Sequence, residues 1–496
     1  MDERAERHYA ALDLGSNSFH MLIAQDGETL RIIDKLREPV RLGAGLDAEG
    51  RISQEAQLRA LECAERFGQR LRELPTPHVR IVGTNTLRRA REQKDFRLRL
   101  AAVLGHPVEI ISGDEEARLI YLGVAHDRSD PGRLRLVLDI GGGSTELILG
   151  RDAEIHRAHS LFMGCVSYTR RFFGQSNYGE HAFMAAETAA LLELRAVRRR
   201  LLESPWELGI AVSGTCTAIA EILQANGWGD GSLQRAGLDE LRRAVIQAGS
   251  EHALTMPGLQ DDRRPVLVGG LAILRAVFAS LGVERMEIAE GALREGLLYD
   301  LIGRDHQKDI RHASVAAMQS RFGTDRGQAD GVAATARALA GQLQFTRDAD
   351  GFDPTQFLDW GAQLHELGLC VAYTGYHRHG AYLVENANIP GFSRDDTNLL
   401  AFLIRGHRRS LHPETFKELS GIHEKWSLPL CVLLRLAVLL NRGRGLDSIP
   451  RIEADFERQS VELGFEDGWL DKHPLTRSDL DEEREVMHSV GVSLRY

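Results

Sequence analysis

Residues 9–25 read YAALDLGSNSFHMLIAQ, an apolar run that is interrupted by Asp13 and a short stretch of small, polar residues before it resumes. A second segment, VLDIGGGSTELILG at residues 137–150, repeats this pattern, with Asp139 in the place of Asp13 and a similar Gly/Ser turn after it. Apolar residues flank both turns, so each copy predicts a β-hairpin. The repeat therefore predicts one structural unit that is used twice.

The chemistry of the two turns predicts phosphate binding. Gly lets the backbone approach a ligand closely, consecutive N–H groups form a concave anion site, and an aspartate at a strand end can hold a hydrated Mg²⁺ against phosphate oxygens. The candidate phosphate-binding residues are Asp13, Gly15, Ser16, Asn17 and Ser18 in the first copy and Gly141, Gly142, Gly143, Ser144 and Thr145 in the second. One Gly-rich turn is commonly only structural, but two with an acid in register favour a phosphate clamp.

Composition narrows the class of protein. The chain has 496 residues and a net charge of −10, which indicates two to four domains and argues against general nucleic-acid binding. The five cysteines are scattered without metal spacing, and no secretory signal precedes the first strand, so we expect a cytoplasmic protein. The longest apolar windows, Val266–Val283 and Leu430–Leu440, each contain an arginine and predict buried helices rather than membrane spans.

The order of the patterns predicts an α/β fold. Strand and helix patterns alternate over the first half of the chain, and helical patterns dominate after Asp309. Near the C-terminus a period-two pattern predicts a small antiparallel sheet. The expected domains are residues 1–122 and 123–305, each with one Gly/Ser turn, a helical domain at 306–445 and a small β-containing domain at 446–496.

Further acidic residues are candidates for catalysis. Glu115 and Glu116 begin a helix, where acids favour the dipole, but only one of two adjacent helical acids can face a cleft. A carboxylate there could position or deprotonate the water that attacks a phosphoanhydride. Glu146 either faces solvent from its strand or completes a metal environment beside Asp139, and we favour the metal.

Two more segments could bind anions. Arg88 lies at a predicted helix start, where a positive charge opposes the dipole, so phosphate binding is a competing reason for it. Ser213, Gly214 and Thr215 form a strand-to-helix turn of a kind that suits an anion, although such turns are common.

Histidines are frequent in the C-terminal region, for example His365, His377 and His379. A metal site needs converging ligands, and scattered helical histidines are usually not ligands, so a metal there is the less favoured interpretation. Basic residues in the same region instead predict a path for a polyanion: Arg378, Arg405, His407, Arg408 and Arg409.

Several segments together resemble the exopolyphosphatase/guanosine pentaphosphate phosphohydrolase family: ALDLGSNSFHMLIA, GTNTLRRA, SGDEEARLIYLGV, LDIGGGSTELILG, MGCVSYTRRFF, VSGT and GALREGLLYDL. The resemblance covers residues 9 to about 303 in the family's order and spacing. It implies a duplicated actin-like (ribonuclease H-like) α/β core of the acetate and sugar kinase superfamily. An all-α HD-like domain and a small C-terminal antiparallel sheet domain are implied after it.

The resemblance also implies roles for individual residues. It places the catalytic glutamate at Glu116, the metal positions at Asp139 and Glu146, and a phosphate-binding arginine at Arg88. Mg²⁺ is the implied cofactor, and a monovalent cation such as K⁺ stays open as a second one. The chain departs from the HD pattern in one respect, because it has His365-Glu366 where a metal centre of that type needs His-Asp.

The implied reaction is an attack of water on a terminal phosphoanhydride. The segments GYHRHGAYLVENANIPGF and RGHRR favour inorganic polyphosphate as the substrate of an exopolyphosphatase. The alternative, as a replacement or a second activity, is conversion of guanosine pentaphosphate to the tetraphosphate. A kinase of the same fold would need an adenosine pocket and an acceptor site, which no sequence feature demands. A non-catalytic sensor would not need Glu116, Asp139 and Glu146.

The family also implies a homodimer. No integral membrane segment is expected, and peripheral association with the inner face of the membrane stays open, without a lipidation motif in the sequence to support it.

Overall fold

Two sheets with matching strand order bear out the repeat of the two hairpins. The computed structural model describes residues 7–26, 30–91, 93–128, 130–174, 177–306, 308–342, 351–411, 419–444, 453–457 and 460–496. The chain divides into two compact units, Met1–Lys308 and Asp309–Tyr496. The first unit contains both hairpins.

The first sheet has five strands in the order β3-β2-β1-β4-β5. These strands are β1 (Arg7–Leu14), β2 (Ser18–Asp26), β3 (Arg31–Pro39), β4 (Val79–Gly83) and β5 (Val108–Ile110). The helices around them are α1 (Gln54–Leu71), α2 (Asn85–Arg89), α3 (Gln93–Leu104) and α4 (Gly113–Asp127), with short 3₁₀ helices at Leu42–Gly45 and Thr76–His78. Strand β1 pairs antiparallel with β2 and parallel with β4.

The second sheet repeats this arrangement and adds one strand, in the order β10-β11-β9-β6-β7-β8. Its strands are β6 (Leu134–Ile140), β7 (Thr145–Arg151), β8 (Glu154–Leu161), β9 (Leu208–Val212), β10 (Leu233–Gln234) and β11 (Arg285–Ile288). The helices are α5 (Cys165–Phe172), α6 (Glu180–Leu202), α7 (Ser213–Ala225), α8 (Arg235–Ala248), α9 (Leu267–Leu281) and α10 (Leu293–Asp305), with a 3₁₀ helix at Arg264–Val266. Strand β6 pairs antiparallel with β7 and parallel with β9, as β1 does with β2 and β4.

Burial explains the strand positions. Every residue of β6 is buried, which is typical of a strand that helices cover on both faces, whereas β3 alternates between exposed and half-buried residues as an edge strand does. The stretch Arg264–Leu281 is long and apolar enough to span a membrane, but 78% of it is buried inside the protein. This agrees with the prediction of a core helix.

The second unit is mainly helical. Its helices are α11 (Ile310–Phe322), α12 (Arg326–Gln342), α13 (Pro354–Leu364), α14 (Tyr376–Asn386), α15 (Arg394–Gly406) and α16 (Gly421–Leu440), with a 3₁₀ helix at Leu367–Cys370. Near its C-terminus come β12 (Glu453–Glu457), β13 (Ser460–Gly464), α17 (Trp469–Lys472), α18 (Pro474–His488) and β14 (Ser493–Arg495). Trp360 and the apolar side of α16 lie in one core, together with Leu480 and Met487 of α18.

The C-terminal sheet differs from the prediction. Strands β12 and β13 form the expected antiparallel pair, but β14 pairs parallel with β13, so the sheet is mixed. Helix α18 carries the chain back along the sheet before β14 begins, and such a crossover produces a parallel pair. The predicted domain boundary at 445/446 lies outside the described residues, and the one at 122/123 falls within α4.

Candidate active site

The two Gly/Ser turns face each other across a cleft of about 530 Å³ in the first unit. We call residues 14–18 the first loop and residues 140–145 the second loop. A Cβ atom on Gly142 would lie 2.8 Å from the Cβ of Ser16, so only glycine allows the loops to come this close. The first loop is held by backbone N–H groups of Arg41 and Gly43, which donate to the carbonyls of Asn17 and Ser16 at 2.7 Å each.

Six carboxylates line this cleft. Four of them come from β1, β6, β7 and the first turn of α4, namely Asp13, Asp139, Glu146 and Glu116, and the other two are Glu221 and Glu290. The two aspartates end β1 and β6, Glu146 lies directly opposite Asp139 on β7, and Glu116 is in the first turn of α4. Burial raises the pKa of Asp13 to about 8, and the charges of Glu116 and Asp139 add to this. Burial and then Glu116 raise the pKa of Asp139 to about 7. Burial likewise raises the pKa of Glu116 and Glu146.

Helix α4 turns its two adjacent acids in different directions. The hydroxyl of Ser112 caps the helix and accepts the N–H of Glu115 at 3.1 Å. The Glu115 carboxylate is buried against Arg118, with two hydrogen bonds of 2.7 and 2.8 Å. The Glu116 carboxylate lines the cleft and accepts a hydrogen bond from Arg88 at 3.1 Å. The acid that the sequence analysis selected is thus the one at the cleft, while its catalytic role stays a prediction.

The site's polar atoms fit a hydrated metal ion. Asp13 Oδ1 and Ser18 Oγ are buried and have no hydrogen-bond partner among the described residues. Within the described ranges, no three His, Cys, Asp or Glu side chains form a ready-made ligand cluster. Mg²⁺ usually keeps several waters and takes one or two carboxylates together with substrate phosphates. The four carboxylates therefore suit Mg²⁺ held jointly with a phosphorylated ligand rather than a closed protein cage.

A group of cations that the sequence analysis missed lines the same cleft: Lys35, Arg37, Arg263 and Arg294. Burial, and then these four charges, lower the pKa of His20 to about 3, so its ring is neutral. Lys35 and Arg37 are two residues apart on β3 and share one face of the strand. The cleft therefore carries carboxylates and cations together, as a metal–phosphate complex requires.

The other predicted anion ligands have mixed outcomes. Ser213, Gly214 and Thr215 line the cleft at the start of α7, and a Cβ atom on Gly214 would lie 2.0 Å from a guanidinium nitrogen of Arg263. Thr145 is fully buried and its hydroxyl donates to the Met163 carbonyl at 2.6 Å, so its side chain does not serve as a phosphate ligand.

Arg88 lies in the last turn of the five-residue helix α2, not at its start. The helix-dipole argument for it was therefore wrong. Its guanidinium instead bridges the Ile111 carbonyl at 2.8 Å and Glu116 at 3.1 Å, so it is placed to orient the carboxylate.

One of the five residues predicted to form a polyanion path in the second unit, His407, does not fit that role. His407 is buried, its Nδ1 lies 2.6 Å from the Ile404 carbonyl, and burial lowers its pKa well below the ordinary value. A neutral, enclosed ring cannot hold a polyanion, so this assignment was wrong. Arg378, Arg405 and Arg409 are exposed, and Arg408 packs over the Tyr376 ring at 4.6 Å. These four charges, after burial, lower the pKa of His377 to about 4, which indicates that they cluster around it.

The His365-Glu366 pair, which departs from the HD pattern, lies in the same unit. His365 and Glu366 are both buried, and Glu366 accepts a hydrogen bond from Arg444 at 2.5 Å.

Comparisons with known proteins agree with this geometry. Residues 22–305 match the Ppx/GppA phosphatase family, and residues 310–484 match domain III of Ppx/GppA phosphatases. A guanosine-5'-triphosphate,3'-diphosphate pyrophosphatase of Pseudoalteromonas translucida is 38% identical over 487 residues, which cover 98% of this chain and 97% of the relative.

Solved structures are similar to about three fifths of this chain. A crystal structure of an exopolyphosphatase from Cytophaga hutchinsonii is 25% identical, with a TM-score of 0.54, and the match covers 60% of this chain and 98% of that one. The Aquifex aeolicus member of the Ppx/GppA family is 24% identical, with a TM-score of 0.51 over 61% of this chain and 99% of that one. This second likeness concerns the fold alone.

Proposed function

The chain belongs to the Ppx/GppA phosphatase family, and on that premise we propose that it hydrolyses the terminal phosphoanhydride of a phosphate-rich anion with Mg²⁺ as cofactor. The observation that carries the proposal is the meeting of four carboxylates with raised pKa values beside the two loops; Glu116, Asp139 and Glu146 are buried and Asp13 is half-buried. Such a concentration of negative charge is unfavourable in a ligand-free protein and becomes favourable when a divalent cation and a substrate neutralise it.

Each part of the cleft has a role in the proposed reaction. The backbone N–H groups of the two loops and the cations of β3 and α10 hold the phosphates. Asp139 and Glu146, with Asp13 near them, are the residues that would hold Mg²⁺, which supplies charge neutralisation at the phosphate oxygens. Glu116 holds the attacking water and accepts its proton, since a carboxylate with a raised pKa is a better base. Arg88 keeps that carboxylate in place.

The bond changes are simple. The water oxygen forms a bond to the terminal phosphorus while the bond between that phosphorus and the bridging oxygen breaks. The products are inorganic phosphate and a substrate that is one phosphate shorter. The charge that develops on the leaving oxygen is stabilised by the cationic side of the cleft, where Arg263 and Arg294 lie.

We rank guanosine pentaphosphate as the first substrate and inorganic polyphosphate as the second, which reverses the order favoured by the sequence segments. The full-length likeness to a relative named for guanosine pentaphosphate supports this order. Polyphosphate is retained because exposed arginines cluster in the second unit and because the solved structure of an exopolyphosphatase is similar to 60% of this chain. Both substrates present the same terminal phosphoanhydride, so one centre can serve both.

The experiment is a phosphate-release assay with the two substrates side by side, with Mg²⁺ or with a chelator. We expect Mg²⁺-dependent release from both and a higher kcat/KM for guanosine pentaphosphate. No release from either substrate would refute the proposed activity, and a clear preference for long polyphosphate would restore the original order.

A further inference from the structure

Helix α7 leads out of the cleft. Ser213, Thr217 and Glu221 are four residues apart, share one side of the helix and all line the cleft. At 1.5 Å per residue, this series spans about 12 Å along the helix axis. Its inner end is at the phosphate loops, so its outer end lies where the part of a nucleotide beyond its phosphates would be.

The outer end opens into a second hollow. Glu221 and Gln260 line both the cleft and this hollow, whose other lining residues are Gln224, Ala225, Gly258 and Leu259. The hollow is open to solvent and offers small and apolar surfaces beside the polar side chains of Glu221, Gln224 and Gln260. A flat, partly apolar group such as a nucleobase suits such a surface, whereas a chain of phosphates gains nothing from it.

Glu221 and Gln260 form an ordered polar pair. The Gln260 side-chain amide donates to a Glu221 carboxylate oxygen at 3.4 Å. The backbone carbonyl of Gln260 accepts the N–H groups of Arg263 at 3.0 Å and Arg264 at 3.1 Å, which fixes the loop that presents the amide. The pair therefore presents the amide donor of Gln260 next to the two carboxylate oxygens of Glu221 at the mouth of the cleft.

We propose that Glu221 and Gln260 recognise the guanine base, an inference that rests on the proposed function and specifies its substrate. Guanine presents on one edge the O6 acceptor, the N1–H donor and the N2 amino donor. The amide can donate to O6 while the carboxylate accepts from N1–H and N2. The corresponding edge of adenine carries a donor and an acceptor in the opposite order, so it would face the amide with a donor and the carboxylate with an acceptor and lose both hydrogen bonds.

The carboxylate of Glu221 also disfavours the binding of a polyphosphate chain. Besides the four carboxylates at the loops, the cleft is lined by four cations and by two further acids, Glu221 and Glu290, and Glu221 is the acid at the end that opens into the hollow. A phosphate placed beside it would meet a like charge. The pair thus favours a nucleotide over a polyphosphate in this direction.

The test uses the full-length Glu221→Gln variant with three substrates: guanosine pentaphosphate, its adenine counterpart and tripolyphosphate. We expect the variant to raise KM for guanosine pentaphosphate about 10- to 100-fold, the range for losing hydrogen bonds to a charged group. Its kcat should stay within about twofold, and its KM for tripolyphosphate should be unchanged or lower. The preference of the wild-type protein for guanine over adenine should largely disappear.

Asp261→Asn is the matched control. Asp261 is next to Gln260, its side chain is 88% exposed, and it pairs with Arg264 instead of lining the cleft. This variant removes one negative charge from the same loop and should leave the preference for guanine intact.

Two outcomes would overturn the inference without touching the proposed hydrolysis: equal effects of Glu221→Gln on guanosine pentaphosphate and tripolyphosphate, or equal effects of the two variants. A wild-type protein that releases no phosphate from any of the substrates would overturn both.

Discussion

Replacing Asp139 by Asn should stabilise the metal-free protein while removing its response to Mg²⁺. The pKa of Asp139 is about 7 in the folded protein against an ordinary value of 3.8. Each pH unit between these values corresponds to about 1.36 kcal/mol, so the ionised carboxylate lowers the free energy of unfolding by up to ~4 kcal/mol. Because the pKa is raised on folding, this destabilisation is complete above pH 7, decreases as the pH falls, and is absent below the unfolded pKa.

The assay is thermal melting in the presence of a chelator, with Asp261→Asn as the control for an exposed aspartate. We expect Asp139→Asn to gain about 2–4 kcal/mol at pH 8, which for a unit of this size is roughly 3–6 °C in Tm. At pH 5.5 the gain should fall to about half. Adding Mg²⁺ at pH 8 should raise the Tm of the wild-type protein and not that of the variant.

A variant that melts below the wild type at pH 8 without metal would show that Asp139 is stabilised by partners instead of being repelled by its neighbours. A gain that is independent of pH would also contradict the reasoning, because it would not come from ionisation.

Three further predictions concern named side chains. Glu116→Gln should lower kcat by ~10²–10⁴ without loss of folding or substrate binding, as expected for a positioned proton acceptor, and single-turnover kinetics with a binding assay would check this. Glu115→Gln should keep kcat per folded molecule but lose about 2–3 kcal/mol of stability in denaturant unfolding, because it weakens the buried partner of Arg118. Unchanged stability would contradict the ion-pair assignment. Replacing Arg378, Arg405 and Arg409 together by Gln should weaken hydrolysis of long polyphosphate and flatten its salt dependence, with guanosine pentaphosphate unaffected, and equal losses on both substrates would argue against a polyphosphate path.

The parts of the site that could be predicted from sequence are those that local pattern determines. An apolar run that ends in an acid and a small-residue turn has few structural solutions, so Asp13 and Asp139 were placed correctly at strand ends. Helix geometry indicated that only one of Glu115 and Glu116 could face the cleft, and the resemblance to the family selected Glu116. Lys35 and Arg37 carried a similar signal, two cations at strand spacing, which was overlooked.

Other features depend on contacts that no local pattern contains. Arg263 and Arg294 line the same cleft as the first loop, although they are more than two hundred residues away in sequence, and only the packing of α10 and the loop before α9 brings them there. Thr145 belongs to a phosphate-loop motif, yet its hydroxyl donates its hydrogen bond to the Met163 carbonyl. His407 lies in a basic segment, but its ring is buried against His365 and Tyr376. In each case the residue type indicated a chemical role, but the sequence did not show where the side chain points.

Hydrolysis of guanosine pentaphosphate in water enriched in the heavy oxygen isotope tests the central claim most directly. If the carboxylate cleft directs water at the terminal phosphorus, mass spectrometry should find the isotope in the inorganic phosphate and none in the tetraphosphate. The reaction should need Mg²⁺ and nearly cease in Glu116→Gln. Isotope in the tetraphosphate, or an undiminished reaction in that variant, would contradict the account.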